Sequence, residues 1–207
     1  MLFRSRHPQW HVLVRHVLRS KKPCCQLTDT TIVTCFNSDF CKQRFLLKQS
    51  LDLFSVPLQV YGRNIVKWRN SLKIGLCLNA FKSITTKYVI VLDATDVVIV
   101  QDPQLIVERF KELNCKMLYG VERPRGNDFI VARHLNSGMF VGETEFCSMI
   151  YNEAYTRFLK LDVKCDQPYF KLLVHKFTDL IKYDIESHIF HNVLPRHIIT
   201  VTEPKML

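Results

Sequence analysis

Glycine is scarce in this chain, with only six among 207 residues. Neither the G-x-G-x-x-G pattern of dinucleotide-binding folds nor a Walker A sequence occurs, which excludes a glycine-rich phosphate loop. The eight cysteines form no C-x-x-C pair, and this argues against a zinc site. No N-x-[ST] sequon occurs. These absences favour a reducing, cytoplasmic location and predict that most cysteines are small buried hydrophobic residues.

Acidic residues are absent from the first 28 positions, and the net charge of the whole chain is +10. Charged residues interrupt every apolar run there, so we predict neither a signal peptide nor a membrane span. We assign residues 1–28 to a basic tail or a helix packed on the domain, and residues 29–207 to the domain itself. Because Trp10, Leu13 and Val17 follow helical spacing, association of this segment with a membrane surface is the alternative.

The positive charge of the chain is also a feature of proteins that bind nucleic acid. The sequence has no named nucleic-acid-binding motif, and no aromatic side chains are interleaved along a basic stripe. We therefore expect no nucleic-acid partner.

Apolar strands and amphipathic helices alternate from residue 31 onwards. The pattern predicts strands at residues 31–36, 58–62, 87–92, 116–121 and 138–142, and short strands near 180–183 and 188–193. It predicts helices between Ser38 or Asp39 and Pro57, and at 70–84, 102–113, 144–160 and 166–177. Such alternation is typical of an α/β domain with a mostly parallel, Rossmann-like central sheet flanked by helices. The strand at 87–92 lacks polar alternation, so it should be central, parallel and covered on both faces.

Two carboxylates interrupt the apolar run KYVIVLDATDVVIV at residues 87–100. A buried, unpaired carboxylate is costly, so each must be paired, hydrogen-bonded or bound to a metal. Asp93 and Asp96 follow a central strand, and ligands of such sheets bind beyond the carboxyl ends of the strands. Carboxylates three residues apart suit Mn²⁺ or Mg²⁺, which share oxygen ligands with substrate phosphates. The alternative is that both are turn or capping residues, as we predict for Asp102 before Pro103.

Two further motifs place small polar residues beside predicted strands and helices. In HLNSGMFVG, the residues Asn136, Ser137 and Gly138 precede an apolar strand, and a glycine there allows a close approach to a ligand. In KCDQPYF, Asp166 and Gln167 stand at the start of a helix, where they could be caps or could meet a sugar hydroxyl.

The ordered set of motifs resembles the glycosyltransferase domain of procollagen lysyl hydroxylases and of related collagen-type and viral glycosyltransferases. The similarity covers residues 30–193. It rests on a strand ending in Asp-x-x-Asp-Val, followed by Asn-Ser-Gly-x-Phe-x-Gly, Asp-Gln-x-x-Phe and Asp-x-x-x-x-Ile-Phe-x-Asn. The resemblance implies a GT-A fold, a UDP-sugar donor, a hydroxyl acceptor on a protein or glycan, and Mn²⁺ or Mg²⁺.

The resemblance also implies a role for individual residues on the nucleotide side of the site. Asp93 and Asp96 would hold the metal. Thr34, in the first strand, would lie near the uridine, and Lys73 would reach the diphosphate. Ordinary alternatives are that Thr34 is strand filler and that Lys73 is a solvated helix charge.

On the sugar side, the resemblance implies that Asn136, Ser137 and Gly138 line the sugar pocket. Asp166 and Gln167 would face the donor sugar or the acceptor as the catalytic pair. The ordinary alternative for the first three is a turn.

The sequence departs from the family's pattern in two places. Consecutive acids usually precede Asp-Gln, but Lys164 and Cys165 stand there. The family's His-Gly-Asn segment, whose histidine completes the metal site, does not occur, so His188, His191 or His197 would have to replace it.

From the motifs and the resemblance we predict a metal-dependent hexosyltransferase that uses a UDP-sugar. The alternative is a catalytically weakened or inactive binding module with the same fold.

Overall fold

The structure is a computed structural model that describes residues 2–4, 26–37, 45–121, 135–158 and 165–192. Three sequence-based predictions concern residues outside these ranges. They are the helix cap at Ser38 or Asp39, the role of His197, and membrane association of the basic segment, of which only residues 2–4 and 26–28 are described.

Strands and helices alternate along most of the described chain. The strands are β1 Leu2–Arg4, β2 Thr30–Cys35, β3 Gln59–Tyr61, β4 Tyr88–Leu92, β5 Val97–Ile99, β6 Met117–Val121, β7 Leu135–Glu143, β8 Ile181–Tyr183 and β9 Phe190–Asn192. The helices are α1 Leu46–Asp52, α2 Leu72–Ser83, α3 Gln104–Glu112, α4 Thr144–Phe158 and α5 Gln167–Val174. The prediction of an α/β domain with a mostly parallel sheet flanked by helices is confirmed at this level.

The central sheet has six strands in the order β3-β2-β4-β7-β6-β8. β2 is parallel to β3 and β4, and β6 is parallel to β8. β7 is antiparallel to both of its neighbours. As predicted, β4 is central and buried along its whole length, but it is parallel to β2 and antiparallel to β7. Because β7 runs backwards, its first residues lie at the carboxyl end of β4.

A second, three-stranded sheet has the order β5-β1-β9. β1 is antiparallel to β5 and parallel to β9. β5 was not predicted, because its apolar residues continue the run that begins with β4. β1 lies within the segment assigned to a basic tail or helix, and its three residues instead form a strand between two segments of the domain.

The six-stranded sheet has an apolar core on each face, since strand side chains alternate between faces. Val89 and Val91 pack in the cluster that includes residues of α2, α4 and α5. Ile90 and Leu92 pack in the cluster with α1 and α3. Burial of the cysteines is confirmed for Cys35, Cys77 and Cys147, while Cys115 and Cys165 are half-buried. No helix in the described ranges combines the length and hydrophobicity needed to cross a bilayer.

The predicted cap of α3 is present in the structure. The Asp102 carboxylate accepts the backbone N–H of Gln104 at 2.8 Å, with Pro103 between them. Replacing Asp102 with alanine is expected to lower the free energy of unfolding by about 0.5–2 kcal/mol, since one N–H at the helix start loses its partner. Urea denaturation measures this loss. UDP affinity should stay unchanged, and a large drop in UDP affinity at normal stability would contradict a purely structural role.

Candidate functional site

A cleft of about 260 Å³ opens at the carboxyl ends of β2 and β4. Three segments of the chain form it: the end of β2, the approach to α2 with its first turn, and the turn after β4. The lining residues are Cys35, Phe36, Asn37, Trp68, Asn70, Lys73, Asp93, Ala94, Thr95 and Asp96. The two predicted metal ligands, Asp93 and Asp96, thus share one cleft, and both are half-buried.

Asp93 forms an ion pair inside this cleft. The ammonium of Lys73, in the first turn of α2, donates to Asp93 Oδ1. The two side chains are only 16% and 14% exposed. Limited exposure weakens screening by water, so this pair interacts more strongly than a surface ion pair does. The cost of placing a carboxylate at the end of a buried strand is therefore offset by a lysine twenty positions earlier in the chain.

Gly138 lies directly against Asp93. The backbone N–H of Asp93 donates to the Gly138 carbonyl at 2.8 Å, which extends the pairing of β4 with β7. A Cβ built on Gly138 would lie 2.5 Å from the Asp93 Cγ, a distance that real Cβ atoms do not adopt. The space that the absent side chain leaves at Gly138 is thus filled by the carboxylate of Asp93.

An irregularity in β7 lies where this glycine meets Asp93. Pairing with β6 passes from Tyr119 opposite Phe140 to Gly120 opposite Asn136, so residues 137–139 have no partners on β6. Asn136 Oδ1 accepts the Gly138 N–H at 3.0 Å within this irregularity. Bulges of this kind redirect side chains and are frequent next to active sites. Here the bulge sets Ser137 and Gly138 beside the end of β4.

Asp166 and Gln167 connect the start of α5 to the same end of β7. Asp166 is 3% exposed, and burial raises the pKa of its carboxyl. The positive charge of Lys73 and a hydrogen bond with Ser137 lower that pKa, whereas the charge of Asp93 raises it. The Gln167 side-chain amide donates to the Leu135 carbonyl. Two separate predicted motifs, around Asp93 and Asp166, therefore meet in space.

The buried state of Asp166 has a consequence for the pH dependence of stability. Burial raises the pKa of its carboxyl above the ordinary value of 3.8. Below that value the group is protonated in both states, and as pH rises through the folded-state pKa the folded protein must bury a charge. The free energy of unfolding should therefore contain a contribution that is lost on raising the pH through that folded-state pKa.

Asp166→Asn should remove this contribution. Urea denaturation of wild type and variant from acidic to neutral pH measures the difference between their free energies of unfolding. The wild type should lose stability relative to the variant as the pH rises. Parallel profiles would show that Asp166 does not titrate with a raised pKa.

Of the predicted residues, Lys73, Asp93 and Asp96 line the cleft. The remaining predicted residues do not line it: Thr34, Asn136, Ser137, Gly138, Asp166 and Gln167. Thr34 is fully buried, and its hydroxyl donates to the Leu92 carbonyl at 2.6 Å. Its chain neighbour Cys35 lines the cleft instead. Asn136 is also fully buried, and it bonds Gly138 as described.

Sequence reasoning missed the aromatic and amide side chains of the cleft. Phe36, Asn37, Trp68 and Asn70 all line it. The Asn37 amide donates to the Ile65 carbonyl at 3.1 Å, and this bond joins the end of β2 to the loop that carries Trp68. The available signal was a tryptophan among exposed basic residues in the segment GRNIVKWRN, residues 62–70.

The side chains of the cleft fit a hard divalent cation that keeps several waters or substrate oxygens. Asp93 and Asp96 offer carboxylate oxygens, which Mn²⁺ and Mg²⁺ prefer. The described residues contain no cluster of three or more His, Cys, Asp or Glu side chains arranged for a metal. The His188 ring contacts Glu186 at 2.6 Å and does not line the cleft. Among the described residues, the carboxylates that line the cleft are those of Asp93 and Asp96.

No protein-family model matches the chain. No curated protein matches it either.

Proposed function

We propose that this protein is a metal-dependent glycosyltransferase of the GT-A type, which transfers a hexose from a UDP-sugar to a hydroxyl acceptor. One observation carries the proposal. Asp93, at the end of the central strand, is held between Lys73 and Gly138 in a cleft that it shares with Asp96. This arrangement suits the diphosphate of a nucleotide-sugar, which brings negative charge and needs a cation and a lysine beside it.

Asp93 and Asp96 would hold Mn²⁺ or Mg²⁺. When bound, the cation would neutralise the charge that develops on the departing UDP. Lys73 would place a second positive charge near the diphosphate, because its ammonium lies in the same cleft on a flexible four-carbon stem. Trp68 and Phe36 offer flat apolar surfaces on which a base can pack.

The donor sugar would extend towards the bulge of β7. Asp166 lies beside Ser137 there, and the two side chains share a hydrogen bond. A carboxyl group with a raised pKa is suited to hydrogen-bonding a sugar hydroxyl and to accepting a proton from an acceptor hydroxyl. Gln167, tied to the Leu135 carbonyl, would fix the start of α5 against the start of β7.

The direct test is release of UDP from a panel of UDP-hexoses, measured with Mn²⁺ and with a chelator. We expect hydrolysis of at least one donor in Mn²⁺ and none in the chelator, since water can take the place of the hydroxyl acceptor. Calorimetry should show that UDP binds only when the cation is present. Failure of UDP to bind under both conditions would reject the proposal.

A second candidate is a binding module that retains the cleft without turnover. The Lys73–Asp93 ion pair favours it, because that pair already neutralises one of the two metal-binding carboxylates. UDP binding in Mn²⁺ without release of UDP from any donor, also in the presence of simple hydroxyl acceptors, would support this candidate over the enzyme.

A further inference from the structure

Lys73 interacts with carboxylates from two separate segments of the chain. Its ammonium contacts Asp93 after β4. The same charge lowers the pKa of Asp166 at the start of α5, against the stronger effect of burial. Asp96 lines the cleft with both members of the ion pair. The ammonium of Lys73 thus lies against the carboxylate of Asp93, which is one of the two proposed metal ligands.

We propose that Lys73 competes with the divalent cation for Asp93 and yields its place only when a nucleoside diphosphate binds. This inference rests on the proposed function of the cleft as a donor site. An ammonium and a dication cannot share one carboxylate oxygen without mutual repulsion. The Asp93 side chain is 14% exposed, so water screens that repulsion only in part.

The diphosphate removes this conflict. It brings negative charge into the cleft and offers the Lys73 ammonium a new partner, and the lysine stem is flexible enough to exchange one for the other. Cation and nucleotide then each favour binding of the other, and by linkage the two effects are equal in size. Lys73 therefore makes the cation-binding site dependent on the donor.

The experiment measures Mn²⁺ affinity by electron paramagnetic resonance of the free ion, with and without UDP. Lys73→Met keeps the length of the side chain and removes its charge. We expect this variant to bind Mn²⁺ alone on the order of tenfold more tightly than the wild type. The factor by which UDP raises Mn²⁺ affinity should fall correspondingly. Lys73→Arg keeps the charge and should retain weak binding of Mn²⁺ alone.

Two further variants separate this effect from general changes in charge or folding. Lys82→Met removes an exposed lysine from the same helix and should leave Mn²⁺ affinity unchanged. Lys73→Gln removes the charge with a polar side chain, and it decides the question if the methionine variant fails to fold by circular dichroism.

The outcomes distinguish this inference from the proposed function. If the wild type binds Mn²⁺ with UDP but the neutral variants bind Mn²⁺ alone no more tightly than it does, the role of Lys73 is overturned and the donor site stands. If the wild type binds neither ligand but a neutral variant binds Mn²⁺, Lys73 is a competitor and the donor site is rejected. If no variant binds Mn²⁺, both proposals fall.

Discussion

Replacing Gly138 with alanine is expected to lower manganese-supported UDP affinity by roughly 10- to 100-fold, the range seen when a group that orients a metal ligand is changed. The new methyl group would overlap the Asp93 carboxylate, because its Cβ would lie 2.5 Å from the Asp93 Cγ. Asp93 would have to turn away, and it would leave both Lys73 and the cation. Calorimetric titration with UDP in Mn²⁺, compared with the wild type, measures the effect.

Gly142 provides a matched control in the same strand. A Cβ there would lie 2.6 Å from Cys147 Sγ and 2.9 Å from the Lys116 carbonyl, away from the cleft. Gly142→Ala should therefore cost roughly 1–3 kcal/mol of stability through overpacking and leave UDP affinity intact. Equal UDP affinity in Gly138→Ala and Gly142→Ala variants, both folded, would show that the Asp93 carboxylate does not serve the nucleotide site.

A double variant identifies the clash as the cause. Asp93→Ala removes the carboxylate against which the new methyl group would press. The stability loss from Gly138→Ala should then be smaller in the Asp93→Ala background than in the wild type, because neighbouring residues that share a contact are not additive. If the stability losses of the two single variants simply add in the double variant, Gly138 is needed for the backbone conformation of the bulge and not to make room for the carboxylate.

Asp96→Ala is expected to remove manganese-supported UDP binding while the protein stays folded. Asp96 is half-buried and is one of the two carboxylates that line the cleft among the described residues, so its loss would remove one of the two proposed metal ligands. Calorimetry with UDP and Mn²⁺ gives the affinity, and thermal denaturation reports on folding. The Asp102→Ala variant is the control, since it removes an aspartate outside the cleft. Unchanged UDP affinity in Asp96→Ala would rule out the metal-binding role.

The elements that the sequence predicts well are those with a clear local pattern. β4 is an unbroken apolar run, and α2 and α3 follow helical periodicity. β7 was predicted only over residues 138–142, but it extends from Leu135 to Glu143. Its first residues include Asn136 and Ser137, which are buried polar residues that no apolar pattern identifies. Their burial depends on partners elsewhere in the sheet, so it cannot be predicted locally.

In the candidate site, too, some residues follow from a local sequence pattern and others depend on partners elsewhere in the chain. Asp93 and Asp96 could be assigned because carboxylates after a buried strand demand an explanation from the sequence alone. The partner of Asp93 could not be assigned, since no periodicity relates Lys73 in one element to Asp93 in another. Gly138 was expected to allow a close approach, and the group that approaches in the structure is the Asp93 carboxylate itself.

Thr34 illustrates how strand alternation decides the surroundings of a residue. Successive side chains in a strand point to opposite faces, so Thr34 shares its face with Ile32, and Cys35 takes the other. Strand geometry dictates this alternation, but the sequence does not indicate which face borders the cleft. In the structure Cys35 lines the cleft, and the Thr34 hydroxyl donates a hydrogen bond to the Leu92 carbonyl in β4.

The reversed strand at the centre of the sheet also bears on how the chain is assembled during synthesis. β2, β3 and β4 all lie within residues 30–92, and they can pair as soon as that part has emerged. β4 then presents an open edge whose five residues, YVIVL, are all buried in the finished protein. An apolar, uncharged edge of this kind recruits strands from other chains. Only the arrival of residues 135–143 closes it, so premature termination before β7 would leave a fragment prone to aggregation.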